Sequence, residues 1–327
     1  MPLETIVVSD ENLYDVIIIG SGPGGLTIGT ILAQQHYKVG IIERSTPGGK
    51  LVDIPVIHNY QPEPNIPGTE LAKRFYAQAL NADVKFIYNT VSNVVKKLGY
   101  VAIYGEDGIT WYAKACVVAS GTENIHLNVP GENHYANFGI SYCIKCDHSI
   151  VKNKRVVIVG ENEQALRGTL TIQPLAKETT LILRNENYNH DLVNELTALG
   201  IKILKNYQVL EVNGDPYTVN EIVLLANDQQ ILKYPVDFIF VEIGYAPATT
   251  FIHDQSIIDQ TSRALIVDPH QQTAIPGIYG IGDVTNNSSH QISGAVANAQ
   301  TAADAIVNYL INDFEKQREM EIRIKKN

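Results

Sequence analysis

Cysteine is scarce: the chain of 327 residues has three, too few for the disulfide framework of a small secreted scaffold. Basic clusters are lacking too. Lysine and arginine number 25 against 35 acidic residues, and no local patch relieves the net charge of −10. Such a chain repels phosphate backbones, so nucleic acid is not an expected partner. No apolar run approaches the ~18 residues of a spanning helix, and no membrane partner is expected. The first ten residues have no basic stretch leading into an apolar run, so they read as no signal peptide. Low-complexity runs and a Pro-rich linker are also absent. What remains is 45% hydrophobic and 18% charged, which excludes a disordered or fibrous chain. At ~150 residues per domain the length suggests two domains, and the expected compartment is the cytoplasm.

One architectural unit occurs twice. The run Val16–Ile19 closes at Gly20, an apolar small-residue helix is predicted through about Gln35, and Lys38–Ile42 forms the next strand, ending at Glu43. Strand, helix and strand in that order imply a parallel sheet. The pattern reopens at Val156–Val159 and Gly160, with a strand near Thr180–Leu183. Strand-like segments at Val91–Tyr104 and Lys114–Ala119, then at Val209–Leu225 and Ile231–Val241, read as an antiparallel appendage to each unit. A helix is predicted from Gly294 to about Leu310, followed by a charged tail, Asn312–Asn327, with Phe314, Met320, Ile322 and Ile324 as candidates for a docking segment or for surface apolar side chains.

Gly20, Gly22 and Gly25 lie between a strand and a helix in Gly-x-Gly-x-x-Gly spacing, with Pro23 inside the loop. Gly20 makes the tight turn, Gly22 lets the backbone approach a pyrophosphate, and Gly25 lets the helix pack on the sheet. Glu43, 23 residues after Gly20, stands where it can accept from ribose hydroxyls. A dinucleotide site is expected here.

Far along the chain, Thr273–Asp283 is an apolar strand ending in Gly282-Asp283, and His290-Gln291-Ile292 opens the final helical region. With these residues the sequence resembles the low-molecular-weight thioredoxin reductases, FAD-containing pyridine nucleotide-disulfide oxidoreductases. Further matches follow the family's order. Gly48-Gly49-Lys50-Leu51 and Asn59-Tyr60 resemble its flavin-contacting loop, and Ala119–Thr122 (with Gly121), Pro130-Gly131-Glu132 and Gly244–Pro247 resemble its interdomain crossings. The resemblance implies FAD, with Asp283 on the ribityl chain and Gln291 at the isoalloxazine. It implies an α/β fold of two Rossmann-like domains, each a three-layer parallel sheet with an antiparallel appendage: 1–123 with 248–327 for FAD, and 124–247 inserted and pyridine-nucleotide-like. It also implies a homodimer, thioredoxin or a similar disulfide protein as partner, and rotation of the inserted domain about the two crossings.

Cys143-Ile-Lys-Cys146-Asp147-His148 is the chemical centre. Two cysteines at that spacing come within bridging distance when they begin a helix, and the helix dipole with Lys145 would favour a thiolate. A zinc site using Cys143, Cys146, His148 and His134, or a merely structural disulfide, are the competing readings of the residues. The resemblance favours a redox pair. It implies that one cysteine attacks the thioredoxin disulfide while Cys146 contacts the flavin, and that Asp147 is a general acid. His148 departs from the family's small residue, and Cys116 reads as a buried small hydrophobe.

The second glycine loop departs further. Gly160-Glu161-Asn162-Glu163-Gln164-Ala165 stands where the family has Gly-x-Gly-x-x-Ala, so Asn162 puts a side chain where a pyrophosphate would approach, and Glu161 and Glu163 add negative charge. Leu183-Arg184-Asn185 replaces the family's His-Arg-Arg for a 2′-phosphate, Asn189 replaces a later arginine, and Glu186 follows. The expectation is a reductase that NADPH does not feed, with another low-potential donor such as ferredoxin. The alternatives are a divergent NAD(P)H site that still works and a flavin–dithiol redox sensor without turnover.

Overall fold

A sheet covered on both faces needs branched apolar side chains at every position, and Val16, Ile17, Ile18 and Ile19 are all buried in strand β1 (Leu13–Ile19). The computed structural model describes residues 12–316 apart from 62, 98 and 137, and only the backbone of Lys145. From β1 the chain passes through the first glycine loop into α1 (Pro23–Gln34) and back as β2 (Val39–Glu43), parallel to β1 with Val16 opposite Val39. Helix α2 (Gly68–Asn81) leads to β3 (Lys85–Tyr88), and β4 (Val91–Lys97), β5 (Tyr100–Gly105) and β6 (Thr110–Val118) follow as an antiparallel meander. β6 runs parallel to β1, giving the order β3-β2-β1-β6-β5-β4.

The first crossing contains β7 (Thr122–Asn124). Beyond it come α3 (Glu132–Tyr135), β8 (Ile140–Ser141), α4 (Ile144–Asp147), β9 (Arg155–Val159), α5 (Glu163–Ile172), β10 (Glu178–Leu183), α6 (His190–Ala198) and β11 (Lys202–Lys205). The antiparallel sheet of β12 (Tyr207–Asp215), β13 (Thr218–Ala226) and β14 (Ile231–Pro235) precedes β15 (Phe238–Val241). β11-β10-β9-β15-β8 is a second, all-parallel sheet. The chain leaves it through β16 (Tyr245–Pro247), which pairs with β7, adds β17 (Ile278–Gly280) beside β6, and ends its described part with α7 (Ile292–Asn312).

Two compact units result. One holds the residues up to Glu123 and those from Ala246 onward, and the other spans Asn124–Tyr245, so the return crossing falls inside the Gly244–Pro247 segment. Each parallel sheet is packed on both faces. In the first unit one layer gathers Val16, Ile18, Leu26 and Tyr279, and the other Ile17, Val101, Trp111 and Ile278. In the second unit Val157 and Val159 face one layer, Val156 and Ile158 the other. α7 extends two residues beyond the prediction at each end and buries Ala299, Ala302, Ala303 and Ile306, the spacing of one helix face. Phe314 corrects an expectation. It is 2% exposed and packs on Tyr100 and Tyr309, so it is a core residue and not part of a docking tail, while Met320, Ile322 and Ile324 lie outside the described residues. Among the described residues no helix is long and apolar enough to cross a membrane.

Candidate functional site

In a parallel sheet the loops that follow neighbouring strands meet at the carboxyl edge, and ligands bind there. In the first unit those loops follow β1, β6 and β17. Gly20 has φ +102°, and a Cβ on it would stand 2.5 Å from the Ala119 carbonyl oxygen. A Cβ on Gly25 would stand 2.1 Å from the Gly20 oxygen, so the helix can start this close to the strand only with glycine there. Gly22 is different: a Cβ there meets nothing within 4 Å. It is the N-cap of α1 with no side-chain capping bond, and Pro23 follows in the first turn. Bare backbone amides at a helix start, with open space before them, fit a pyrophosphate.

Glu43 is 9% exposed. Its Oε2 accepts from the Ser21 amide at 2.9 Å and the Ser21 hydroxyl at 2.6 Å, and Oε1 accepts from the Ser45 amide at 2.8 Å. A carboxylate has about four acceptor positions, so one remains, on Oε1, for a ribose hydroxyl. Gly48 donates to the Ser21 carbonyl at 2.9 Å, and a Cβ on Gly49 would lie 3.1 Å from Gly22 Cα, which seats the Gly48–Leu51 loop against the glycine turn with Leu51 buried. Lys50 donates to the Thr122 hydroxyl; desolvation pulls its ammonium below the ordinary lysine value, with Asp283 and Asp53 acting in the opposite sense.

Gly282 (φ +71°) turns the chain after β17, and Asp283 accepts from the Ser288 hydroxyl at 2.9 Å, with His290 Nδ1 at 3.5 Å. His290 takes φ +52°, its amide held by Ser288 at 3.0 Å, and Gln291 then caps α7, which begins at Ile292. Asn59 Nδ2 donates to Gln291 Oε1 at 2.8 Å. Gly121 has φ +66°, and its carbonyl accepts from Ala248. Ser21, Ser45, Lys50, Thr122 and Ser288 were given no role from the sequence. Ser21, Lys50 and Thr122 carried a signal, as positions inside the first glycine loop, the Gly48–Leu51 loop and the Ala119–Thr122 crossing.

The second unit holds the cysteines. Cys143 and Cys146 are disulfide-bonded with their Cα atoms 5.3 Å apart. Cys143 is the N-cap of α4, and its sulfur accepts from the Cys146 amide at 3.2 Å. Cys146 is exposed, Cys143 and Asp147 are half-buried, and the charged end of Lys145 lies outside what is described. The pair is held by its neighbours. Ser141 Oγ accepts from the Cys143 amide at 3.0 Å, and the buried Glu242 accepts from the Ile144 amide at 3.2 Å through Oε1. The Ile144 side chain fills the space above Gly168 of α5, where a Cβ would stand 2.3 Å from Ile144 Cδ1. Tyr142 donates to the buried Glu132 at 2.8 Å, and burial, then Glu132, push its phenol well above the ordinary tyrosine value. Cys116, in β6, is fully buried and its thiol is pushed up to about 12 by desolvation.

At the second glycine loop, Asn162 caps α5: Oδ1 accepts from the Ala165 amide and Nδ2 donates to the Glu242 carbonyl, both at 2.8 Å. The negative charges expected here are not free. Glu161 accepts from Arg184 at 2.6 and 3.1 Å and from Asn185 at 3.1 Å, while Glu163 pairs with Arg167 at 2.6 Å. Glu186 accepts from Tyr188 at 2.7 Å and Asn206 at 2.6 Å; these bonds hold its carboxyl below the usual range. Asn189 caps α6.

Residues 14–304 match the family model described as pyridine nucleotide-disulphide oxidoreductase. A thioredoxin reductase of Ureaplasma parvum is 31% identical over 301 residues, 90% of this chain and 96% of that protein. Among solved structures, Lactococcus lactis thioredoxin reductase superposes with a TM-score of 0.75 at 27% identity, over 91% of this chain and 99% of that one. The T. acidophilum thioredoxin reductase gives 0.72 at 30% identity, over 92% and 100%.

Proposed function

The chain belongs to the pyridine nucleotide-disulphide oxidoreductase family as a thioredoxin reductase-like oxidoreductase, and we propose that it reduces a protein disulfide, most simply on thioredoxin, with electrons that do not come from NADPH. The family implies FAD, and the uncapped start of α1 with open space before Gly22 fits it. In this reading the first-turn amides of α1, at Gly24 and Gly25, hold the pyrophosphate, Oε1 of Glu43 a ribose hydroxyl and Asp283 the ribityl chain. The Asn59–Gln291 pair faces the ring. FAD, when bound, accepts and passes on a pair of electrons.

The protein's own chemistry is thiol exchange. In the reduced pair, the Cys143 thiolate attacks one sulfur of the partner's disulfide. That bond breaks, a mixed disulfide forms, and the leaving sulfur takes a proton from Asp147. Cys146 then gives up its proton and attacks the Cys143 sulfur, the Cys143–Cys146 bond re-forms, and the partner's second sulfur leaves and takes that proton. Two electrons have passed, and the partner has gained two protons.

The observation that carries the donor reading is the internal satisfaction of the second glycine loop. The cation left for a 2′-phosphate, Arg184, is already held by both oxygens of Glu161, and the Asn162 carboxamide occupies the turn at the start of α5. Two missing charge-assisted contacts, at about 1.5–3 kcal/mol each, weaken NADPH roughly 10²- to 10⁴-fold. NADH has no 2′-phosphate but meets the same Asn162. The donor in this reading is a low-potential electron carrier of the ferredoxin type.

The test is anaerobic titration of the yellow protein followed by flavin absorbance. Dithionite or reduced ferredoxin bleaches the flavin and supports thioredoxin reduction; stoichiometric NADPH or NADH does not. Rapid bleaching by NADPH overturns the donor assignment. Undiminished thioredoxin reduction by Cys143→Ser overturns the function itself. The family's homodimer is part of the same reading, and sedimentation of the holoprotein checks it.

A further inference from the structure

The strand that leads into the cysteine turn is short and lies at the end of its sheet. β8 has two residues, Ile140 opposite Ile239 and Ser141 opposite Phe240 of β15, with a lone bridge from Ile140 to Ala136 on its other side. Tyr142 has already left this ladder when the chain reaches Cys143. The amide bonds described above hold the turn at Cys143 and Ile144; the residue before them is held by its side chain.

The Tyr142 hydroxyl meets two residues of the segment after the first crossing. It donates to Glu132 Oε1 at 2.8 Å and lies 2.9 Å from His126 Nδ1, with the two rings 4.5 Å apart. A phenol has one proton, and here it goes to Glu132, so the bond to His126 needs a proton on Nδ1. Burial, then Glu132, keep the phenol protonated by pushing it well above the ordinary tyrosine value. His126 Nδ1 is 3.6 Å from Glu132 Oε1, too far for a direct bond, and the hydroxyl bridges them.

Glu132 is a firm anchor. It is 2% exposed, its Oε1 also accepts from the Leu127 amide at 2.9 Å, and its Oε2 accepts from the Asn128 amide at 2.6 Å. These bonds close the loop from His126 to Glu132 on itself. That loop is seated on β12: Val212 donates to the Pro130 carbonyl at 3.0 Å, and a Cβ on Gly131 would stand 1.9 Å from the Val212 oxygen. All of these residues belong to the Asn124–Tyr245 unit.

We propose that Tyr142 is a positioning residue for the Cys143–Cys146 couple: its hydroxyl ties the backbone entering the turn to the Glu132 loop and so keeps Cys143 close to Cys146 when the disulfide is open. Each thiol then sees the other at a high effective concentration. Disulfide formation takes two electrons and two protons from the pair and gives them to the two sulfurs of the disulfide being reduced. A pair that closes readily is the stronger reductant, and Cys146 displaces the partner from Cys143 sooner. The effect runs through the backbone and needs no charge on any of the three residues. By linkage, closing the disulfide strengthens the Tyr142 anchor in turn.

The inference rests on the pair being the working couple, but its test needs neither donor nor thioredoxin. The holoprotein is equilibrated in mixtures of reduced and oxidised dithiothreitol, and free thiols are trapped with iodoacetamide and counted by mass. Tyr142→Phe keeps the ring and removes only the hydroxyl. It is expected to shift the equilibrium about fivefold toward the dithiol, about 20 mV, the worth of one hydrogen bond. The pH midpoint for alkylation of the more acidic thiol should not move, because no charge has been removed. Coincident equilibria for Tyr142→Phe and the parent overturn the proposal, and so does a moved midpoint large enough to account for the whole shift. A further measurement reads the parent protein itself. In the 15N-labelled protein at about pH 9, where imidazoles are neutral, His126 should carry its proton on Nδ1, its signals being those lost in His126→Gln. A proton on Nε2 instead would mean that the phenol donates to His126, and the anchor to Glu132 would fall. Failure to reduce thioredoxin would count against the proposed function and leave these measurements standing.

Discussion

Asn59 and Gln291 lie 232 positions apart, yet Asn59 Nδ2 donates to Gln291 Oε1 at 2.8 Å, joining the loop before α2 to the first turn of α7. Both side chains are exposed and neither position is ordered by core packing, so the bond orders each through the other. Gln291→Ala removes it. The expected result is FAD bound about five- to tenfold more weakly, equivalent to ~1–1.5 kcal/mol for one hydrogen bond, with a shifted flavin absorbance band. Flavin retained after gel filtration reads this directly; unchanged retention and spectrum would remove the pair from the cofactor site.

Gly25→Ala tests the contact between helix start and strand end. Its Cβ would need space 2.1 Å from the Gly20 oxygen, and that atom belongs to backbone that cannot swing away. Overpacking of this kind costs about 1–3 kcal/mol or more, so the first unit should melt roughly 5–10 °C lower and bind FAD poorly. Gly22→Ala, with open space around its Cβ, should melt normally and lose FAD alone.

Glu161→Gly combined with Asn162→Gly tests the closed loop by opening it. Arg184 loses its internal partner, and the turn before α5 regains a bare backbone. NADPH affinity is expected to rise about 10- to 100-fold, the worth of one charge-assisted contact, measured by isothermal titration on the oxidised protein. No gain would mean that Glu161 and Asn162 are not what excludes the nucleotide.

Gly168→Ala pushes on Ile144. The added methyl would stand 2.3 Å from Ile144 Cδ1, and that side chain belongs to the cysteine turn. FAD content should stay at the parent level while dithiol-dependent thioredoxin reduction slows by about tenfold or more, since small displacements of reacting groups are costly. Stopped-flow reduction of thioredoxin by the dithionite-reduced protein separates the two effects.

Cys116 sets a pH dependence of stability. Burial raises its thiol from 9.0 to about 12, so below pH 9 the thiol is neutral in both states and costs nothing. Between pH 9 and about 12 only the unfolded chain loses this proton, so the contribution falls as pH rises through that window. Urea midpoints should therefore drop more steeply above pH 9 for the parent than for Cys116→Ala. After reduction, only Cys143 and Cys146 should be alkylated in the native protein at pH 8.

What the sequence determined by itself is local or periodic. Branched runs such as Val16–Ile19 and Val156–Val159 declare strands buried on both faces; Gly20, Gly22 and Gly25 announce a strand-to-helix turn, and Cys143 and Cys146 are close because only two residues separate them. Pairings across the sheet needed tertiary structure. Val159 is in register with Val241 and with Ile182, and that register brings Glu161, Asn162, Arg184 and Glu242 to one carboxyl edge from three strands. From sequence, Glu161 and Arg184 counted as a repelling charge and a surviving phosphate ligand; 23 positions apart in the chain, they meet at 2.6 Å and cancel. Glu242 drew no notice, because nothing in the residues around it indicates that its carboxylate reaches Ile144, 98 positions away. Period and spacing are properties of neighbours along the chain and survive in the sequence, whereas the partner of a buried charge is chosen by strand register, which exists only once the sheet has formed.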